Sequence, residues 1–526
     1  MKKLLSALSF YFAGAVLISA FAGEMIWNKN YDAGLSSFES VIEVSDGLVA
    51  VGHNYSALIA KYDNDGNMLW SERFGSNSSY FTKVVAVADG VVAVGLMNSN
   101  CGYGDCSGIV GNGSNDAIIV KFDNNGNVLW KKNFGGSGSD EFYSVIVVAD
   151  GIIAVGNVAS NSFGNGHLAE MSGNGNTDAI VVKYDNDGNI LWKKIFGGNG
   201  IDKYRSIFSV SDGFIVQGSS DNESFGNGDL ADLEGKGDVD VVIVKYDNDG
   251  NILWKRSFGG KGYDEYCSLN ALTDGFILAG YLDTNSFGNG DWADVTEGGT
   301  AILVKFDNDG NVLWKRNFGG DSDIFWSAAS ANGGIIAAGE FYNDDWEDIN
   351  RKGSTNAVVV KFDNDGNVLW ENNFGDKMYD YFTFAMAADN AIIAVGSSFV
   401  LDYYYEGPDG KPTIWNGEYN AVIVKFSDSQ TDASIPEVVS VDQVSMHTTS
   451  TANDLTLYFT KGQMEFAQLE LPSVEIISSG TGGIITRLQN YSSGSAINTS
   501  HLPQGLYIVA ATDNTGKVYR AKFVKQ

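Results

Sequence analysis

The stretch KYDNDGNILW occupies residues 183–192 and recurs letter for letter at 245–254. Near-copies stand at 61–70 (KYDNDGNMLW), at 121–130 (KFDNNGNVLW), and at 305–314 and 361–370 (both KFDNDGNVLW). Successive tryptophans lie 60, 62, 62, 60 and 56 residues apart, and Lys425-Phe426 repeats the first two letters 64 residues after Lys361-Phe362. Periods of this length belong to repeat architectures, in which one unit cannot bury its apolar face alone. Each unit holds four short apolar runs: YSVIVV at 143–148, then 152–158, AIVVK at 179–183 and 190–194 in one copy. β-Branched and aromatic runs bounded by Gly, Asn and Asp are strand signals. The DNDGN between the last two runs reads as a tight hairpin loop, with Gly188 at the position that needs φ > 0.

Four antiparallel strands per unit, repeated about an axis, make propeller blades. The ends of the repeat region set their number. Met25-Ile26-Trp27 has the form of a fourth strand with no third before it, and 421–426 is a third strand with no fourth after it. Pairing the two closes a ring and leaves no sheet edge open. Trp27, Trp70, Trp130, Trp192, Trp254, Trp314 and Trp370 then mark seven blades. The expected fold is all-β: a seven-bladed β-propeller over 23–427 closed by the N-terminal strand, a linker over 428–447, and a small C-terminal β-sandwich over 448–526.

Lys and Arg total 34 against 65 Asp and Glu, a formal charge of −31. Such a surface excludes nucleic acid and disfavours anionic lipid, while admitting divalent cations or cationic partners. Lys2 and Lys3 precede an apolar run to Ala22 that ends Ala20-Phe21-Ala22. This reads as an export signal over 1–22, cut after Ala22. No later segment reads as an integral membrane span. Cys101 and Cys106 are placed to close a small disulfide loop in an oxidising compartment, and Cys267 reads as a buried small apolar residue.

Two loop families offer sites. Before the first strand an Asp recurs in the pattern Asp-x-aromatic, at Asp140, Asp202, Asp264, Asp323 and Asp380. Two readings stand: a ring of carboxylates at the channel mouth, or a lock in which each Asp accepts backbone N–H groups. The insert between the second and third strands repeats as SFGNGHLAE (162–170), SFGNGDLAD (224–232) and SFGNGDWAD (286–294). Asp229, Asp232, Asp291 and Asp294 there offer hard oxygen ligands of the kind Ca²⁺ takes, or simply fold the loop over the blade. Later inserts carry Trp292, Trp346, Tyr404 and Trp415, aromatics suited to stacking on sugar rings, anchoring a protein, or capping the ring. The four histidines are scattered, and no nucleophile elbow or metalloprotease motif occurs. A carboxylate pair for glycoside cleavage stays open as an alternative.

The unit at 117–156 (DAIIVKFDNNGNVLWKKNFGGSGSDEF, then SV, then ADGIIAVG) resembles the secreted β-propeller repeats of Bacteroidetes and clostridial surface proteins. That resemblance covers about 24–427 and implies fold more than activity. The Asp-to-Gly step is one residue short of the pyrroloquinoline-quinone dehydrogenase repeat, and the Gly-to-Trp step one too long for a sialidase Asp-box. The C-terminal LPQGLYIVAATDNTGKVYRAKFVKQ resembles the sorting domain of the type IX secretion system, carried by Leu502, Gly505, Tyr507, Ile508, Val509, Gly516, Lys522, Phe523 and Val524. The resemblance implies partnership with that machinery through 448–526 and a secreted or outer-membrane-surface location in a Gram-negative bacterium. The function expected is non-enzymatic binding of glycan or protein on the insert-bearing face. A carboxylate-dependent hydrolase and a scaffold without a small ligand are the alternatives.

Overall fold

The computed structural model describes residues 23–31, 35–76, 78–98, 106–295, 297–342, 354–375, 379–388, 391–406, 412–428 and, with short gaps, 444–525. It divides into two units, Gly23–Asp428 and a second that holds the C-terminal strands. The first contains seven four-stranded antiparallel sheets. Blades 1 to 6 each use consecutive strands, over 36–74, 80–134, 140–196, 202–258, 265–318 and 324–374. Blade 7 takes three strands from 380–427 and its fourth from Met25–Tyr31, which pairs antiparallel so that Trp27 meets Lys425 and Asn30 meets Val422. First strands of consecutive blades touch all the way round, and the seventh touches the first. The chain is a closed, seven-bladed, all-β propeller.

Apolar alternation explains the packing between blades. Second and third strands such as Gly151–Ala159 and Thr177–Tyr184 are buried on both faces, because each is sandwiched by neighbouring blades. Outer fourth strands such as Ile190–Phe196 stay partly exposed and carry Lys193 and Lys194, charges that discourage edge-to-edge pairing.

The DNDGN motif turns the last hairpin of six blades and closes on itself. Asp185 Oδ1 accepts the N–H of Asp187 (2.9 Å) and of Asn189 (2.8 Å), and Oδ2 accepts Asn189 Nδ2 (2.9 Å). With the carboxylate occupied in this way, the Asp side chain closes the hairpin turn. Gly188 takes φ 77°, and Trp130 of the preceding blade lies over it, so that an added Cβ would meet Cε3 at 3.0 Å. Trp130 Nε1 also donates to Asn186 O (3.0 Å). The tryptophan is thus a clamp from one blade onto the turn of the next.

The lysine of the motif is the other clamp. Lys61, Lys121, Lys183, Lys245 and Lys305 each pair at 2.8 Å with Asp46, Asp89, Asp150, Asp212 and Asp274, the acids of the turn between strands one and two. Blade 6 has Asn332-Gly333 in that turn, and its fully buried Lys361 pairs instead with buried Asp428.

The C-terminal unit contains two four-stranded antiparallel sheets. Its first strand, Val444–Ser450, begins four residues inside the expected linker. Residues 1–22 and 429–443 lie outside the described residues. Among those described, no helix is long and apolar enough to cross a membrane.

Candidate functional site

Antiparallel order places the inserts and the loops before each first strand on one face, and the DNDGN turns on the other. On the insert face the recurring aspartates are buried locks. Asp140 Oδ2 accepts Gly136 N–H (2.8 Å) and Ser162 Oγ–H (2.8 Å), while Oδ1 accepts Ala159 N–H (3.1 Å). Asp202 and Asp264 hold Gly198, Ser224, Gly260 and Ser286 in the same way. Asp323 accepts from Gly320 and Tyr342, and Asp380 from Ser398. Asp140, Asp202 and Asp264 bind their loops to the insert of their own blade, and Asp380 is held by the neighbouring strand. They do not present a ring of carboxylates to solvent: none is more than 1% exposed. Burial pushes Asp202 and Asp264 up to about 6, and Asp140 in the same direction.

The insert acids are occupied too, by lysines, an amide and backbone N–H groups, and not around a common centre. Asp232 and Asp294 pair with Lys255 and Lys315, whose ammonium groups hold both carboxyls below their usual range. Asp229 accepts from Asn174 Nδ2 (3.3 Å) and Gly197 N–H (3.2 Å); Asp291 accepts from Gly259 N–H (3.0 Å) and pairs with Lys236 (3.2 Å). His167 sits at the same position against Asn112 (3.3 Å). Positions 167, 229 and 291 are therefore latches onto the preceding blade's insert, 55 residues back each time. Among the described residues, no three His, Cys, Asp or Glu side chains are grouped to hold a metal ion.

The aromatics fare differently. Trp292 is fully buried, edge-on to Phe258 (5.7 Å) and below Lys315, with no face open for a sugar. Tyr404 and Trp415 pair across a strand hairpin that extends the second and third strands of blade 7 beyond the insert face. Trp346 and Cys101 lie outside the described residues; Cys106 is buried and disulfide-bonded. Cys267 is in no disulfide and only half-buried.

What the sequence reading missed is a bulge. Every first strand has one at the same place, between Phe38 and Ser40 in blade 1 and between Phe142 and Ser144 in blade 3. A bulge leaves one residue out of the ladder and re-aims it. The bulged residues are Glu39, Thr82, Tyr143, Arg205, Cys267, Trp326 and Thr383, each half-buried on the innermost strand. They sit three residues from the locking position, near the channel mouth on the insert face. A Phe or Tyr stands directly before every one of them, whereas the seven themselves comprise six residue types. A varied residue after a constant aromatic was the available signal.

Polar partners hold this rim. Tyr80 OH donates to Glu141 (2.6 Å) of the next blade, and the Arg205 guanidinium lies 4.3 Å over the Tyr143 ring. Trp326 Nε1 donates to Glu340 (3.1 Å), and Glu39 stands 3.6 Å from His53. Burial raises all three glutamates above the ordinary carboxyl range. Aromatic rings with fixed polar partners, three acids and one arginine thus come together along this rim.

No family model matches the chain. The regulatory protein FlaEY of Caulobacter vibrioides is 26% identical over 176 residues, 32% of this chain, and the chain spans 18% of that relative's length. Similar solved structures include BamB from Moraxella catarrhalis (13% identity, 77% of this chain and 99% of that one, TM-score 0.38). The WD40 β-propeller domain of Doa1 (11%, 76% and 96%, 0.43) and the RRP9 WD40 repeats (7%, 77% and 99%, 0.44) are others.

Proposed function

We propose that this is a non-enzymatic glycan-binding protein of the cell exterior, exported by type IX secretion through 448–526. The ligand is held at the channel mouth of the insert face. The bulged rim carries the proposal: the residue that follows a constant Phe or Tyr, left out of the ladder in every first strand, varies from blade to blade. Tyr143 and Trp326 supply stacking faces, and Glu39, Glu141 and Glu340 accept hydroxyl hydrogens. The hairpin bearing Tyr404 and Trp415 extends the same face. A glycan array probed with the full chain tests this, followed by titration of the best ligand. Trp326→Ala is expected to weaken binding at least about tenfold, or 1.4 kcal/mol. An array with no hit, or a Trp326→Ala protein that binds as before, would turn the reading toward a protein partner. Cleavage of the bound glycan would turn it toward the hydrolase.

A further inference from the structure

The seventh hairpin turn of the propeller is built from two separate pieces of chain. In blade 6 the turn runs Lys361-Phe362-Asp363-Asn364-Asp365-Gly366-Asn367-Val368-Leu369-Trp370 without a break. In blade 7, Lys425-Phe426-Ser427-Asp428 ends one side and Gly23-Glu24-Met25-Ile26-Trp27 begins the other. The registers coincide: Phe362 meets Val368 and Lys361 meets Trp370, as Phe426 meets Met25 and Lys425 meets Trp27. Gly23 therefore stands where Gly366 does, Asp428 stands where Asn364 does, and a single position, that of Asp365, separates them.

The likeness extends to the hydrogen bonds. Gly23 N–H donates to Ser427 O (2.7 Å) as Gly366 N–H does to Asp363 O (3.2 Å). Ser427 N–H donates to Glu24 O (2.8 Å) as Asp363 N–H does to Asn367 O (2.9 Å). Gly23 has φ 83° against 81°, and Trp370 covers it with Cε3 2.9 Å from where a Cβ would lie. Asn372 Nδ2 holds its carbonyl at 2.6 Å. One difference marks the break: Trp314 Nε1 reaches Asn364 O (3.0 Å), whereas the buried Trp370 Nε1 has no acceptor.

A continuous turn fits one residue between positions 364 and 366. In the split turn that position falls between Gly23 and Asp428, and Gly23 N–H already holds the place of the turn's closing donor. We propose that the amino group freed at Gly23 by the cut expected after Ala22 is a built-in part of ring closure. The proposal rests on the export reading of 1–22 and is independent of the glycan. A peptidase of the exporting cell adds water across the amide: the C–N bond breaks, Ala22 gains the oxygen as a carboxylate, and Gly23 keeps the nitrogen as an ammonium. That ammonium retains its donation to Ser427 O, adds two further donors, and brings a positive charge to a carbonyl that is followed in the chain by Asp428.

Mass spectrometry of the chain recovered from an exporting cell is expected to find Gly23 first. A cut at another bond overturns the role of the Gly23 amino group and leaves the export reading standing, whereas a chain that keeps residues 1–22 overturns both. Full-length 23–526 with a free Gly23 is then compared with the same chain extended by Ser-Ala. The extension is expected to lower the melting midpoint by several degrees at pH 6.5. An ammonium stabilised in the folded state contributes below its unfolded pKa of roughly 8 and is lost above its folded one. The gap is therefore expected to shrink by pH 9.5. Equal melting of the two proteins, or a gap unchanged with pH, would overturn the role of the amino group while leaving the processing site in place.

Discussion

Gly188 and Gly164 share nearly the same backbone, φ 77° and 75°, but only Gly188 lies under a tryptophan; a Cβ on Gly164 would meet nothing within 4 Å. Gly164→Ala is expected to cost about 1 kcal/mol of unfolding free energy from backbone strain alone. Gly188→Ala adds the clash with Trp130 and is expected to cost about 2–4 kcal/mol, both read from denaturant midpoints. The lysines allow a second contrast. Lys361 and Asp428 are both buried, so Lys361→Met strands a carboxylate and is expected to cost about 3–5 kcal/mol. Lys245 faces an Asp212 that is 56% exposed, and Lys245→Met should cost no more than about 1 kcal/mol. The turn glycine was legible in the sequence because φ > 0 has a short list of willing residues. The acid that pairs with each lysine was not, since it sits 15 to 33 residues earlier and across a strand.

Loops on the insert face are tied down by buried acids, and this gives the sheets a pH response. Asp116, Asp202 and Asp264 are pushed up to about 6, chiefly by burial and with neighbouring carboxylates adding to it. Unfolded aspartates titrate near 3.9, so between about pH 4 and 6 the folded state holds more protons, and stability falls as pH rises through that window. Denaturant unfolding from pH 4 to 6.5 should show this decline, and Asp202→Asn should flatten it. The recurrence of Asp202 and Asp264 before the first strands was legible, as was the possibility that they lock backbone, whereas Asp116 at the start of a third strand was not singled out. The fate of Asp229, Asp232, Asp291 and Asp294 was not. Their partners Lys255, Lys315, Asn174 and Lys236 come from a later strand of the same blade or from the preceding insert, and sequence spacing alone shows neither. The bulges escaped for a related reason: the strand pattern around Tyr143 or Trp326 reads the same whether or not one residue leaves the ladder.

Seven blades and their closure by Met25–Tyr31 were readable from two incomplete units that complete each other. The split turn makes a molecule-wide prediction. A permuted chain, with Asp428 joined to Gly23 through one residue and new ends opened between Asn186 and Asp187, should fold with the same strand content and unfold cooperatively. Loss of strand circular dichroism in that protein would show that the break at Gly23 is required and not merely tolerated. The same break also gives the body a pole. Gly23 and Ser427 meet on the face that carries the DNDGN turns, away from the insert loops. The seam that closes the circle is thereby kept clear of the side on which the blades differ most in loop length.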